Sequence, residues 1–239
     1  MGLTKLKLKN RLLQMRLRGK DLHPLTRMQL HALDGLDPKT PIDDCRFVVM
    51  DLETTGLDTA TDRVVSVGAL RISGGQVHLG DYFDRLINPG RDIPVESIKV
   101  HGIVPDELAD APPGWAVFGD FLEYLGGDIL VAHYAQFDLW FINRVMRAQH
   151  GFPIQNLVLD TVVMCRGVVL PSDPYGIERD KKRCSIEALS DRFGLELGDR
   201  HTALGDALAT AMIFQVMLTR LAKAGGTRLR DLIRVGLAD

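Results

Sequence analysis

An apolar run, CRFVVMDLE (45–53), ends on two carboxylates, and two more strand-like runs follow it, RVVSVGALRI (63–72) and QVHLGDYFDRLI (76–87). The last two are separated by Ser73-Gly74-Gly75, and paired glycines permit the positive φ angles that a tight hairpin needs. Three antiparallel strands follow from that. After Pro94 the pattern turns helical: Trp115 to Leu125 has apolar residues at 117, 118, 121, 122 and 125 and stops at Gly126-Gly127. ILVAH (129–133) is a short buried strand, Phe137 to Gln149 is helical with Gly151 just past its end, and LVLD (157–160) is a strand. Ser185 can cap a helix that Gly194 ends, and a last helix runs from about Thr202 to Ala224. The order βββαβαβαα predicts an α/β fold with a mixed five-stranded sheet, its first three strands antiparallel and its later two joined by crossovers, flanked by helices.

With 239 residues, 46% of them hydrophobic, the chain suits one domain of ordinary size plus an extension. The domain is placed at 45–224, after a basic N-terminal extension and linker (1–44), and 225–239 are read as a short C-terminal tail. Residues 1–20 carry seven Lys or Arg and no acid, which leaves 22 basic against 31 acidic residues in 21–239. An acidic body with a basic tail is unlike a protein that coats duplexes, for which a basic domain is the rule. Leu3, Leu6, Leu13 and Leu17 fall near helical spacing, so 3–20 read as a basic amphipathic helix. Three uses compete for it: a loosely packed arm, contact with phosphate or a partner, and an organellar transit peptide. His23 to Asp44 holds Pro24, Pro38 and Pro41 and reads as a linker with one short helix near Leu25–Leu33. The apolar stretch Ala203–Ala222 is broken by Asp206, Gln215 and Arg220, which suits a buried helix and no membrane span. Cys45, Cys165 and Cys184 are odd in number with no CxxC pair, against both a disulfide framework and a zinc site, and a reducing cytoplasm is the expected location.

Asp51 and Glu53 lie two apart at a strand end, so both side chains project from one face. Unpaired charges beside a core are costly, and no Lys or Arg sits nearby in sequence to pair with them. A divalent cation would resolve the conflict; a solvated edge or a cap is the plain alternative. Asp138 opens a helix behind ILVAH, and Asp206 sits one turn into the last helix, five residues after His201. Each of these acids can be a helix-start acid favoured by the dipole. Together, four carboxylates and a histidine are the parts of a two-metal phosphodiesterase, with Mg²⁺ or Mn²⁺ on oxygen ligands and an imidazole to take the proton of the attacking water.

FVVMDLETTGL (47–57), VHGI (100–103), VAHYAQFDLWF (131–141) and RHTALGDA (200–207) resemble, in order and spacing, the motifs of the histidine-type DEDD exonucleases. That family includes the ε proofreading subunit of bacterial DNA polymerase III, ribonuclease T and oligoribonuclease. The resemblance spans about 45–224. It implies a ribonuclease-H-like fold and a 3′–5′ exonuclease that releases nucleoside 5′-monophosphates from single-stranded DNA ends. Asp51, Glu53, Asp138 and Asp206 become ligands of two metal ions and His201 the general base. RNA ends or short oligoribonucleotides are the alternative substrate. By the same resemblance Thr54 and Thr55 present backbone groups to the terminal nucleotide, Leu57 presses on its base, and His101 and Phe137 line its pocket. Plain core packing is the competing reading for Leu57 and Phe137. Tyr134 departs from the Asn usual after the His of this motif, here His133. Asp160 matches a position that is structural in the family. Pro171–Arg183 is a solvated loop, or one whose Lys181, Lys182 and Arg183 meet phosphate. A reading of another class is a non-catalytic nucleic-acid or polymerase-binding module, and residues 1–44 are where a replication or repair protein would dock.

Overall fold

Apolar side chains alternate across the first strand of the sheet, β1 (Arg46–Thr54), so Phe47 and Val49 face one layer of helices and Val48 and Met50 the other. The computed structural model describes residues 2–170, 182–198 and 200–238, and β1 is the centre of its sheet. β2 (Val64–Ser73) pairs antiparallel with β1, and β3 (Gln76–Leu86) antiparallel with β2 through a turn in which Gly74 and Gly75 have φ of 58° and 72°. β4 (Ile129–Ala132) and β5 (Val158–Asp160) add on the other edge in parallel, giving the order β3-β2-β1-β4-β5. This is the mixed sheet that the element order predicts, in the ribonuclease-H-like arrangement that the family resemblance implies.

Helices α1 (Leu3–Leu17) and α2 (Pro24–Leu30) precede the sheet, and α3 (Val95–His101), α4 (Pro105–Leu108) and α5 (Gly114–Leu125) lie between β3 and β4. α6 (Ala135–His150) crosses from β4 to β5, and α7 (Thr161–Val168), α8 (Ile186–Phe193), α9 (Ala203–Lys223) and α10 (Leu229–Gly236) follow. One face of the sheet packs Val48, Met50 and Val67 against Phe118, Phe121 and Leu122 of α5 and Phe141 and Ile142 of α6. The other packs Phe47, Val49 and Ile72 against Ile213, Phe214 and Met217 of α9. Phe214 meets Phe47 edge-on with centroids 5.2 Å apart. Burying each such ring contributes about 2 to 3 kcal/mol. α9 is long and apolar enough in composition to cross a membrane, and its apolar side is the one laid on the sheet.

Both ends of the chain join this body. α1 is a packed helix rather than a loose arm: Leu3 is buried in the core on the α9 side, and Leu13 and Leu17 pack on the opposite core. Asn10 Nδ2 donates to Gln155 Oε1 at 3.0 Å, and Lys5, Lys9, Arg11 and Arg16 point to solvent. Residues 225–239, expected as a tail, contain α10, whose Leu229, Leu232 and Ile233 belong to the core. Eight residues are too few for a periodic pattern to stand out from a loop, and the contacts that hold α10 are distant in sequence: Leu229 N–H donates to the Thr40 carbonyl at 2.9 Å.

The cysteines do form a disulfide, contrary to what their odd number and spacing predict. It joins Cys165 and Cys184, with Cα atoms 6.0 Å apart, and only Cys45 among the described residues is free. The partners come from α7 and from the turn before α8, an approach that spacing does not reveal. The step from cysteine count to a reducing compartment loses its basis with it. Of the segment Pro171–Arg183, residues 171–181, Lys181 included, lie outside the described residues; Lys182 and Arg183 are exposed.

Candidate active site

Asp51 and Glu53 continue the Phe47–Val49 face of β1, so they emerge under the N-terminal end of α9. The ladder to β2 shifts register between Glu53 and Thr54, a bulge of the kind that re-aims side chains at strand ends. Opposite Asp51 stands Gly68, and a Cβ there would lie 2.2 Å from the Ala203 carbonyl carbon and the Leu204 nitrogen. The missing side chain is what lets α9 descend onto the strands. Thr202 caps that helix, accepting from the Gly205 N–H at 3.1 Å, and Asp206 in the first turn is thereby set beside Asp51 and Glu53. No motif marks Gly68 in the sequence, although a lone glycine inside a strand pattern is itself a sign of close backbone approach. Gly68→Ala should cost about 1 to 3 kcal/mol by overpacking and lower turnover even at temperatures where the variant stays folded. A thermal melt and a measurement of turnover check this; wild-type values in both would remove Gly68 from the role.

The structure brings together carboxylate oxygens of Asp51, Glu53 and Asp206 to within 4.8 Å of one another. Asp138 joins them in the same cleft of about 430 Å³, from the first turn of α6. The start of α6 is fixed by Asp160, which accepts from the Ala135 N–H at 3.1 Å and caps α7 through the Val162 N–H at 2.7 Å. Burial pushes the Asp51 carboxyl well above the usual range, and Asp138, Asp206 and Glu53 add repulsion. Burial likewise raises Asp138, with Asp160 contributing, and lifts Glu53 to about 7, with Asp206 contributing. Converging, largely buried acids that repel one another are a donor set suited to hard divalent cations.

A cation of the protein's own is also present. Arg200 lies 2.9 Å from Asp206 Oδ1 and 2.6 Å from Glu187 Oε1 on α8, which supplies the counter-charge that sequence neighbours of Asp51 and Glu53 do not. Neither Arg200 nor Glu187 was singled out from sequence, because their pairing depends on how α8 and α9 meet.

The other predicted residues divide. Leu57 is 85% exposed, which excludes core packing, and it lines the cleft with Phe137, which rests edge-on against Phe141. The turn that carries Leu57 is braced by buried Asp62, which accepts from Thr55 Oγ1 at 2.8 Å and from the Asp58 N–H at 2.9 Å. A Cβ at Gly56 would meet Asp62 Oδ2 at 2.4 Å, hence the glycine. Thr54 Oγ1 donates to the Gly56 carbonyl at 2.7 Å. Thr55 has its N–H on the Arg63 carbonyl and its carbonyl on Ser97 Oγ, so its backbone shapes the turn. His101 does not line the cleft; it is buried at the end of α3, its Nδ1 accepting from the Ile103 N–H at 3.1 Å. His133 does line it, with Nδ1 2.7 Å from Thr161 Oγ1, and burial lowers its pKa to about 4, leaving a neutral imidazole. His201 is exposed at the mouth. His201 and Tyr134 have φ of 62° and 61°, the positive values found at non-glycine residues among the described residues, and both line the cleft. Backbone held in this sparsely populated region collects at functional sites.

A mixed sheet with a carboxylate-lined cleft at the end of its central strand has the donors of a divalent-metal site. The profile of the exonuclease family matches residues 48–214, and the chain belongs to that family. It is 41% identical over 192 residues to a DNA polymerase III subunit epsilon-like protein of Rhodobacter capsulatus, covering 79% of this chain and 26% of that protein. It is 34% identical over 183 residues to the PolC-type DNA polymerase III of Bacillus subtilis, covering 75% of this chain and 12% of that one. The chain thus spans about a quarter or less of the length of these relatives. Among solved structures, exonuclease X with 5′ overhanging duplex DNA superposes with a TM-score of 0.57 at 22% identity, over 80% of this chain and 99% of that one. Escherichia coli exonuclease I with a dT13 oligonucleotide gives 0.60 at 18% identity, over 76% and 43%. At those identities the superpositions establish the fold.

Proposed function

We propose that the chain is a 3′–5′ exonuclease that uses two Mg²⁺ or Mn²⁺ ions to release nucleoside 5′-monophosphates from single-stranded DNA ends. The observation that carries this reading is the meeting of Asp51, Glu53 and Asp206 oxygens within 4.8 Å, with Asp138 and His201 in the same cleft. Asp51, Glu53, Asp138 and Asp206 would hold the ions. When bound, the ions supply charge for the attacking and leaving oxygens of the phosphodiester. His201, exposed at the mouth, takes the proton from the attacking water, and Leu57 and Phe137 bracket the terminal base. DNA is favoured because relatives at 41% and 34% identity carry DNA polymerase names. The solvent-facing bases of α1 offer a surface for a replication or repair partner.

The test is digestion of labelled single-stranded DNA, mismatched duplex, RNA and dinucleotides. Mononucleotides should appear from 3′ ends with Mg²⁺ or Mn²⁺ and vanish in chelator or Ca²⁺, whose looser coordination spoils the geometry. Asp138→Ala should be slower by about a hundredfold or more. Full activity in chelator or in Asp138→Ala would sink the reading, and preference for RNA would correct the substrate alone.

A further inference from the structure

Arg200 bridges carboxylates on two helices and stands next to His201. Its Nη2 is 2.6 Å from Glu187 Oε1 on α8, and its Nη1 is 2.9 Å from Asp206 Oδ1 on α9. The two contacts differ in kind. That with Glu187 is an aligned hydrogen bond, whereas Arg200 Nη1 and Asp206 Oδ1 are both buried and neither has an aligned partner, so that contact is charge against charge alone. The Asp206 carboxylate also accepts a hydrogen bond from the His201 backbone. Arg200 further offsets the repulsion felt by Asp51 and Glu53. The segment between α8 and α9 is therefore tied down at the residue before His201, by a guanidinium that sits where charge is needed when the acids have no other cation.

We propose that Arg200 is the built-in counter-ion of the acidic cluster and the positioning residue for His201: a divalent cation at Asp206 displaces the guanidinium from that carboxylate, and Glu187 retains it. The inference rests on the metal-site reading of the cleft. A metal ion and a guanidinium cannot share Asp206 Oδ1 without strong repulsion, and the misaligned contact is the weaker of the two to break. The Glu187 hydrogen bond then keeps Arg200, and with it the backbone of His201, in place. Cation binding is in this way opposed by the residue that orders the proton acceptor.

Isothermal titration of Mn²⁺ into wild type, Arg200→Gln, Arg200→Lys and Glu187→Gln, with turnover measured on each, separates the roles. Arg200→Gln should bind Mn²⁺ about tenfold more tightly, well below the Coulomb limit for charges this close, while kcat falls about tenfold or more through disorder of the His201 loop. A residue that merely held the fold together would lose both. Arg200→Lys keeps the charge but not the fork, so affinity should stay near wild type while turnover stays low. Glu187→Gln should lower turnover without tightening Mn²⁺ binding, because the guanidinium then belongs to Asp206 alone. Unchanged or weaker Mn²⁺ binding in Arg200→Gln, or wild-type turnover in both Arg200→Gln and Glu187→Gln, overturns the inference. A wild type that takes up no Mn²⁺ overturns the metal-site reading and this inference with it.

Discussion

His201→Ala is expected to slow mononucleotide release by about 10² to 10⁴ while leaving metal affinity close to wild type. His201 is exposed at the cleft mouth on left-handed backbone, five residues before Asp206, and is not among the carboxylates that meet. It can therefore reach a water held over the acids without being needed to hold them together. Replacement by Gln should be nearly as poor, because an amide can position a water but cannot accept its proton. A base must be unprotonated to act, so wild type and His201→Ala should differ in how their rates depend on pH at saturating Mg²⁺. Rates followed from pH 5 to 9 decide it. Parallel profiles and similar rates would make His201 structural and hand the proton to another group, the buried neutral His133 being the second imidazole in the cleft.

The second large effect is on stability, with a sign opposite to that of most active-site substitutions. Burial and repulsion hold the Asp51 and Asp138 carboxyls well above their usual range and lift Glu53 from 4.5 to about 7. A folded-state pKa above the unfolded one means that the folded chain keeps its proton while the unfolded chain ionises. Below pH 4.5 the two states bind that proton alike, and from there to about 7 the unfolded state gains. Metal-free protein should therefore lose stability over that window. The Glu53 share is about 2 kcal/mol once solvent screening of a half-buried group is allowed for. In chelator at pH 8, Glu53→Gln should melt about 4 to 8 °C above wild type and at pH 4 nearly level with it. Added Mg²⁺ should raise wild type more than the variant. Calorimetry at the two pH values checks this, and a Glu53→Gln variant less stable than wild type at pH 8 in chelator would contradict it.

Several site features could be read without a structure because their causes are local. Asp51 and Glu53 share a face by the two-residue repeat of a strand, and Thr202, Ser185 and Gly194 mark helix ends by side-chain capping and left-handed backbone. The predicted helix Phe137–Gln149 is found as Ala135–His150, and Thr202–Ala224 as Ala203–Lys223. Local signals were weaker where an element is short and held by distant partners. α10 was read as a tail, and α3 and α7 were not foreseen, because eight or fewer residues carry too little periodicity. Leu57 shows the limit from the other side. Its apolar side chain allowed a core reading, and only the Asp62-braced turn, closed by contacts four to eight residues apart, shows that it faces solvent.

The sequence alone determined the order of the strands and longer helices, the mixed sheet and the residue types available for catalysis, since strand alternation, helix caps and glycine turns act over a few residues. Tertiary structure decided which of those residues meet. Gly68 admits α9 to the sheet from 135 positions away, Arg200 reaches Glu187 and Asp206 across two helices, and Cys165 finds Cys184. Each of these depends on where α7, α8 and α9 cross the sheet, and that is set by the whole core's packing rather than by any neighbouring residue.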